Sequence, residues 1–137
     1  MIGIDWGTSS LRAYRFAPDG GIAGRRYTPR GILTVGPDGF PDTLRAFIGD
    51  WIREGETRVL MCGMVGSRQG WMEAPYLPCP AGLDGLAAAA VAVPFDGADV
   101  RVLPGLSCRD RYGVPEVMRG EETQILGAAL DTGEATI

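Results

Sequence analysis

Three residue types are missing from this sequence, and each absence excludes a kind of site. The 137 residues contain no histidine, no lysine and no asparagine, and all 13 basic residues are arginine. Without histidine the chain holds neither a Ser-His-Asp triad nor a histidine metal site, and without lysine it holds no P-loop lysine. A general base in this chain is therefore expected to be a carboxylate.

Charge and cysteine content narrow the expected partners and compartment. The formal net charge of -4 gives a nucleic-acid partner no electrostatic support. Cys62, Cys79 and Cys108 lie too far apart for a zinc knuckle, and their number is odd. No basic segment precedes an apolar run as in a signal peptide, and the longest apolar stretch, residues 86–93, is too short to cross a bilayer. We therefore expect a protein of the reducing cytoplasm, without nucleic-acid or membrane partners.

The first 28 residues have the pattern of an antiparallel meander. Short apolar segments at residues 2–6, 11–17 and 22–28 predict three strands, and Pro18 and Asp19 followed by two glycines are typical of a hairpin turn. The later elements are predicted as a helix from Asp42 to Gly55, a strand at 58–62, a long loop at 63–80, a short helix at 83–93, a strand at 100–104 and a helix at 119–130.

The order of these elements indicates the fold class. The sequence β-β-β-α-β-(α)-β-α predicts an α/β fold with a five-stranded mixed sheet and flanking helices. That order matches the ribonuclease-H-like lobe found in actin, hexokinase and Hsp70-type proteins. No internal repeat, linker or low-complexity segment interrupts the chain, so residues 1–137 are expected to form one domain.

The turn after the first predicted strand is the first candidate site. Its members combine a glycine, which permits close backbone approach, with three hydroxyl side chains that suit phosphate oxygens: Gly7, Thr8, Ser9 and Ser10. Asp5 is placed to hold Mg²⁺, through water, and Arg12 to reach a transferring phosphoryl group. The alternative is an ordinary hairpin with a Ser/Thr turn.

The long loop after the fourth predicted strand is the second candidate. Ligands in such sheets gather at the carboxyl ends of strands. Arg68 has the fork that binds a carboxylate in bidentate fashion, and Trp71 and Tyr76 offer faces on which a sugar can stack. The full set of candidate substrate contacts in this loop is Gly66, Ser67, Arg68, Gln69, Trp71, Glu73 and Tyr76. The alternative is a structural loop whose aromatic side chains fill the edge of the core.

Two carboxylates at the start of the last predicted helix are the third candidate. Glu121 is the first choice for a general base and Glu122 the second, while Arg119 is expected to pair with one of them or with substrate. The alternative is that both glutamates only stabilise the helix N-terminus, where negative charge is favourable.

The blocks IDWGTSSLRAY, CGMVGSRQGW followed by APY, and MRGEETQ together resemble the 2-dehydro-3-deoxygalactonokinase family, and PGLS at residues 104–107 also fits. The resemblance implies that ATP phosphorylates the terminal 6-hydroxyl of 2-dehydro-3-deoxy-D-galactonate, with Mg²⁺, in the cytoplasm. It assigns this chain to galactonate catabolism. Members of the family are two-lobed, and their second lobe carries the adenosine pocket.

The resemblance also implies that residues 1–137 form an N-terminal lobe and that the C-terminal lobe is absent from this chain. The lobe alone is then expected to be inactive, since ATP lacks half its site, and self-association into a homodimer stays open. Two rival functions remain: another phosphotransferase or polyphosphate hydrolase of the same fold, and a non-catalytic actin-like binding or assembly module.

Overall fold

The computed structural model describes the backbone of residues 1–130 and the side chains of residues 1–126. Nine strands and three α-helices follow one another in this part of the chain: β1 (Ile2–Trp6), β2 (Leu11–Phe16), β3 (Ile22–Thr28), α1 (Phe40–Arg53), β4 (Arg58–Cys62), β5 (Tyr76–Pro78), α2 (Leu83–Ala88), β6 (Val91–Ala92), β7 (Asp99–Val102), β8 (Gly105–Arg109), β9 (Pro115–Met118) and α3 (Glu121–Leu130). Short 3₁₀ turns lie at Ile32–Thr34 and Met64–Gly66.

The main sheet has six strands in the order β3-β2-β1-β4-β7-β6. β1, β2 and β3 form the expected antiparallel meander, while β4 and β7 join it in parallel to β1. A second sheet contains three strands in the order β5-β8-β9. The α/β class and the mixed sheet are therefore confirmed, but the expected count of five strands is wrong.

Four strands, β5, β6, β8 and β9, have no counterpart in the prediction, and two of them show why. The predicted helix at residues 83–93 ends at Ala88, and the β-branched Val91 with Ala92 instead pairs with β7 as a two-residue edge strand. The predicted long loop contains β5, whose three residues pair with β8. Strands this short carry too few residues for a periodicity to appear in the sequence.

One face of the main sheet is closed by α1. Ile2, Ile4 and Trp6 alternate along β1 and are buried, and they pack in one cluster with Leu44 and Ile48 of α1. Each such side chain contributes about 1.5–3 kcal/mol of burial free energy, so this face carries most of the core. α1 is thereby fixed against β1, the strand that precedes the first candidate turn.

The opposite face of the main sheet is more open. Gly3 and Asp5 of β1 and Tyr14 of β2 line a groove of about 660 Å³, which the start of α3 borders through Thr123 and Gln124. Within residues 1–130, no helix has the length and apolar character needed to cross a membrane.

Candidate functional site

The three candidate segments converge on one edge of the main sheet. β1 and β4 run in parallel with Asp5 opposite Cys62, so the turn after β1 and the loop after β4 leave the sheet at the same end. The start of α3 reaches this edge through Gly120, because a Cβ at that position would lie 3.1 Å from the Gly63 Cα. The three segments therefore lie together at the carboxyl ends of β1 and β4.

The turn from Gly7 to Ser10 is closed by one backbone hydrogen bond, from the Gly7 N–H to the Ser10 carbonyl at 2.9 Å. Thr8 and Ser9 are exposed at its tip, and their amides donate no backbone hydrogen bond to any described residue. Successive unpaired N–H groups in a turn, beside hydroxyl side chains, form the kind of concavity that binds anions.

A neighbouring segment holds this turn in place, and sequence reasoning missed it. The Ile32 N–H donates to the Gly7 carbonyl at 3.0 Å, and the Leu33 N–H donates to the Thr8 carbonyl at 3.3 Å. The approach requires Gly31, since a Cβ there would lie 2.2 Å from the Thr8 carbonyl oxygen. The only sequence signal was a glycine inside a loop already rich in glycine and proline.

Asp5 and Arg12 face each other across β1 and β2 beside the turn. The Arg12 Nη1 lies 3.4 Å from the Asp5 Oδ2, and both side chains are partly exposed. The Arg12 guanidinium also lies 5.7 Å from the ring centre of Tyr27. An exposed pair of this length contributes less than about 1 kcal/mol, so little free energy prevents either group from turning toward a ligand.

Two glycines bring the start of α3 against the strand ends. Gly63 has φ 96° and Gly120 has φ 111°, values that favour glycine. A Cβ on Gly63 would lie 2.8 Å from the Trp6 carbonyl oxygen and 3.3 Å from the Asp5 Oδ1. Gly120 also explains why α3 begins at Glu121 and not at Arg119, because its backbone is not helical.

The two glutamates at the start of α3 differ in accessibility. The Glu121 Oε2 accepts from the Arg119 N–H at 3.0 Å, and this residue is exposed. The Glu122 Oε2 accepts from the Gly120 N–H at 2.7 Å, and only 1% of the residue is exposed. Burial raises the pKa of Glu122, against the opposing effect of its backbone hydrogen bonds. Both carboxylates therefore bind backbone amides that the helix itself leaves unpaired.

Arg119 is 8% exposed, and its side chain reaches back to the loop after β4. Its Nη2 donates to the Ala74 carbonyl at 2.8 Å, and its guanidinium lies 4.3 Å from the ring centre of Tyr76. Its Nη1 lies under Gly66, where it has no hydrogen-bond partner among the described residues. Arg119 therefore holds the loop and contacts neither glutamate side chain through its guanidinium.

The loop after β4 divides its candidate residues between surface and core. Arg68 is 88% exposed as a side chain, and its Nε lies 4.0 Å from the Glu73 Oε1. Gln69 is exposed as well, whereas Ser67 donates its hydroxyl to the Met64 carbonyl at 2.7 Å. These side chains extend from a backbone that the 3₁₀ turn Met64–Gly66 holds against β4.

Trp71 takes the alternative role that the sequence left open. Its ring stacks on Phe40 of α1 at 6.2 Å between centroids and meets the edge of Phe95 at 6.3 Å. Tyr76 is exposed on one side and covered by the Arg119 guanidinium on the other. The aromatic residues of this loop thus serve packing first.

Cys62 lies on β4 opposite Asp5 of β1, and its thiol is unreactive. Burial, with the Asp5 charge as the next cause, raises its pKa to about 12, so the thiolate is scarce at neutral pH. Among residues 1–126 no cluster of three or more His, Cys, Asp or Glu side chains has the geometry of a metal cage. A single carboxylate such as that of Asp5 is compatible with Mg²⁺, because this ion keeps several waters and needs only one or two carboxylates besides phosphate oxygens.

Comparisons with known proteins agree across nearly the whole chain. Residues 5–137 match the family described as DGOK, 2-keto-3-deoxy-galactonokinase. The chain is 43% identical over 130 residues to a protein of Rhizobium meliloti named probable 2-dehydro-3-deoxygalactonokinase DgoK1, covering 95% of this chain and 42% of that protein. It is 38% identical over 127 residues to the 2-dehydro-3-deoxygalactonokinase of Escherichia coli K12, covering 93% of this chain and 41% of the relative.

A solved structure extends the agreement to three dimensions. A Sinorhizobium meliloti protein assigned as a 2-dehydro-3-deoxygalactonokinase superposes with a TM-score of 0.81 at 42% identity, over 95% of this chain and 43% of that one. The chain therefore spans well under half the length of the relatives it matches. Because the family model matches residues 5–137, the chain belongs to the 2-keto-3-deoxy-galactonokinase family.

Proposed function

We propose that this chain is the N-terminal lobe of a kinase that transfers the γ-phosphoryl group of ATP to the 6-hydroxyl of 2-dehydro-3-deoxy-D-galactonate in galactonate catabolism. The observation that carries the proposal is the turn from Gly7 to Ser10, whose tip amides have no backbone partner among the described residues and which follows β1, the strand of Asp5. The names of the relatives supply the substrate. The three free thiols support a reducing cytoplasm as its compartment.

The turn orients the phosphate chain in this proposal. The Thr8 and Ser9 amides, with the hydroxyls of Thr8, Ser9 and Ser10, donate to phosphate oxygens. Asp5 would hold Mg²⁺, and the bound ion would neutralise charge on the phosphates. Arg12 leaves its 3.4 Å contact with Asp5 and turns to the transferring group.

Glu121 is the proposed general base. It is exposed at the edge where the turn and the loop meet, while its Oε2 is held by the Arg119 N–H, which leaves Oε1 to accept the proton of the 6-hydroxyl. Glu122 is the second choice, because its carboxylate is almost fully buried and bound to the Gly120 amide.

The loop after β4 is the proposed sugar-acid side. Arg68 extends into solvent with only a 4.0 Å contact to Glu73, so its guanidinium is free to fork onto the substrate carboxylate. The other residues of this loop in the proposed site are Gly66, Ser67, Gln69 and Tyr76. We assign Trp71 to packing, since its ring stacks on Phe40 and makes an edge-type contact with Phe95.

The architecture of the whole enzyme is part of the proposal. Residues 1–137 form one lobe of the ribonuclease-H-like class, and a second lobe supplies the adenosine side of the ATP site. The strand order β3-β2-β1-β4-β7 with a meander followed by parallel strands supports this assignment. The lobe alone then binds sugar acid without turning over ATP.

A binding assay and a turnover assay on the 137-residue chain test the proposal. We expect 2-dehydro-3-deoxy-D-galactonate to bind in calorimetry, and Arg68→Ala to weaken binding about tenfold through loss of a charge-assisted contact. Arg58→Ala is the matched control, because Arg58 is an exposed arginine at the opposite end of β4. Equal affinity of the Arg68 and Arg58 variants would remove Arg68 from the site.

Coupled measurement of ADP release addresses the division between lobes. Turnover at ordinary kinase rates, about 1–100 s⁻¹, contradicts the need for a second lobe. Phosphate release from ATP or polyphosphate without any sugar acid favours a hydrolase of the same fold. A stable oligomer with no sugar-acid affinity favours a binding or assembly module.

A further inference from the structure

The small sheet brings two cysteines to paired positions. β5 and β8 run in parallel with Leu77 opposite Leu106 and Pro78 opposite Ser107. The Cys79 N–H donates to the Ser107 carbonyl at 2.9 Å, which is the ladder bond that continues this register by one residue. Cys79 therefore lies directly opposite Cys108.

The two side chains also share a face of the sheet. Alternation along a strand places Cys79 on the same side as Leu77 and Cys108 on the same side as Leu106. Leu77, Leu106 and Cys79 pack in one apolar cluster, while Cys108 lies at its exposed margin. Both cysteines line one surface depression of about 320 Å³.

This arrangement suits a disulfide. Adjacent strands are about 4.8 Å apart, inside the Cα separation of about 4.4–6.8 Å that a disulfide spans. Partial desolvation, with the neighbouring Cys79 thiol as the next cause, raises the pKa of the Cys108 thiol, which agrees with two thiols in contact. Cys62 lies in β4 of the main sheet and is buried there, so it is not part of this cysteine pair.

We propose that Cys79 and Cys108 form a redox-active dithiol that oxidises to an intrachain disulfide. With a disulfide oxidant such as oxidised glutathione, the thiolate of the exposed Cys108 attacks one sulfur and releases one glutathione thiolate. The Cys79 thiolate then attacks the Cys108 Sγ of the mixed disulfide and releases the second. The two cysteine thiols lose two electrons and two protons, and the oxidant leaves as two molecules of glutathione.

The location gives the modification a consequence for the candidate site. β5 begins at Tyr76, and β8 continues through β9 to Arg119, whose guanidinium covers the Tyr76 ring. The disulfide joins these two segments three residues beyond Tyr76. Oxidation therefore fixes the strand that carries the far end of the sugar-acid loop.

The test is equilibration of the folded 137-residue chain with mixtures of reduced and oxidised glutathione, followed by acid quenching and intact mass measurement. We expect the wild type and Cys62→Ser to lose two hydrogens without a glutathione adduct, and peptide mapping to join the segments containing Cys79 and Cys108. Cys79→Ser is expected to stop at a single glutathione adduct on Cys108.

Three outcomes would overturn the proposal. The first is wild-type protein that accumulates the glutathione adduct on Cys108 without closing the ring. The second is oxidation only to covalent dimers, and the third is a mapped disulfide that includes Cys62. The rate carries a further check, because a raised Cys108 pKa makes the first step, formation of the mixed disulfide, faster with each increase in pH from 7 to 9.

Discussion

The turn at residues 7–10 and the start of α3 look alike in the sequence but use their polar groups differently. In the turn, Thr8 and Ser9 are exposed and their amides have no backbone partner among the described residues. At the start of α3, both glutamate carboxylates accept from backbone amides, and Arg119 donates to the Ala74 carbonyl. The first segment offers its hydrogen-bonding groups to a ligand, while the second uses most of them to build the fold.

The difference shows how a binding segment is told from a structural one when both are rich in polar residues. A buried polar group costs free energy unless it is paired, so most polar groups that enter the interior are paired within the protein, and Arg119 Nη1 and Thr123 Oγ1 are exceptions among the described residues. The unpaired groups of the turn lie at the surface, where water satisfies them until a ligand replaces it. Exposure of unpaired donors, and not residue type, marks the candidate phosphate site.

The largest expected effect comes from removing the support of the turn. Gly31→Ala places a Cβ 2.2 Å from the Thr8 carbonyl oxygen and 2.3 Å from the Ser9 nitrogen, so backbone must move. We expect a loss of about 3 kcal/mol in the free energy of unfolding, measured by urea denaturation. Gly36→Ala, in the same loop with open space around it, is the control and is expected to be neutral. Equal stability of the two variants would show that the turn is not held by this contact.

The next effect tests the structural role of Arg119. Arg119→Ala leaves the Ala74 carbonyl unpaired and empties the space under Gly66, and we expect a loss of about 2 kcal/mol in the free energy of unfolding. Arg68→Ala changes an arginine of the same loop that is exposed, and its effect is expected within about 0.5 kcal/mol. If Arg68→Ala is the more damaging to stability, the division between holding and binding residues is reversed.

A smaller, pH-dependent effect is expected at Glu122. Its pKa is raised by burial in the folded state, so its contribution to stability is full below the unfolded pKa and is lost as pH rises through the folded pKa. Glu122→Gln keeps an oxygen for the Gly120 amide and does not titrate. The variant is therefore expected to gain stability relative to wild type between pH 4 and pH 7 in thermal or urea unfolding.

Asp50 gives a control of opposite sign for that measurement. A hydrogen bond from Arg26, as the largest cause, lowers the pKa of Asp50, so its contribution is present above the unfolded pKa and is lost as pH falls. Asp50→Asn is expected to lose stability at pH 7 and to approach wild type in acid. Parallel pH profiles for the Glu122 and Asp50 variants would show that burial does not govern Glu122.

The smallest effect on stability is expected inside the turn itself. Thr8→Ala removes an exposed hydroxyl, and its free energy of unfolding is expected to stay within about 0.5 kcal/mol of wild type. The same change is expected to weaken MgATP binding about tenfold, followed by amide shifts of residues 8 and 9 in NMR titrations. Thr57→Ala, an exposed threonine before β4, is the control. A destabilised Thr8 variant with unchanged binding would assign the turn to the fold.

Much of the main sheet was predictable because its signals are local. The meander of β1, β2 and β3, the strand Arg58–Cys62 and the end of α1 near Gly55 follow from alternation, hydrophobic periodicity and glycine or proline turns. The predicted start of α1 was two residues late, since the helix begins at Phe40 with Pro41 in its first turn. Hydrophobic spacing predicts Ile125, Leu126 and Ala129 on the apolar side of the last helix: Leu126 is buried and Ile125 is exposed, while the side chain of Ala129 lies outside the described residues.

Most of the remaining structure depends on contacts between distant segments. β6 forms because Val91 pairs with β7, and β5 forms because Tyr76 pairs with β8. Neither strand has a local sequence pattern that is sufficient to predict it. Nothing in the sequence indicated that the Arg119 side chain would donate a hydrogen bond to the Ala74 carbonyl, 45 residues away. The same reason hid Gly31, whose importance lies entirely in the backbone of Thr8.

The sequence alone determined the chemistry that this chain offers: carboxylate and arginine without histidine or lysine, a glycine and hydroxyl turn, an arginine-bearing loop and a Glu pair. Residue type sets which groups can donate, accept or carry charge, and that information is local. Tertiary structure decided which of these groups remain available, since burial and pairing depend on what other segments bring alongside. By that criterion Thr8, Ser9, Arg68 and Glu121 remain accessible, whereas Trp71, Arg119 and Glu122 are used in packing and in backbone hydrogen bonds.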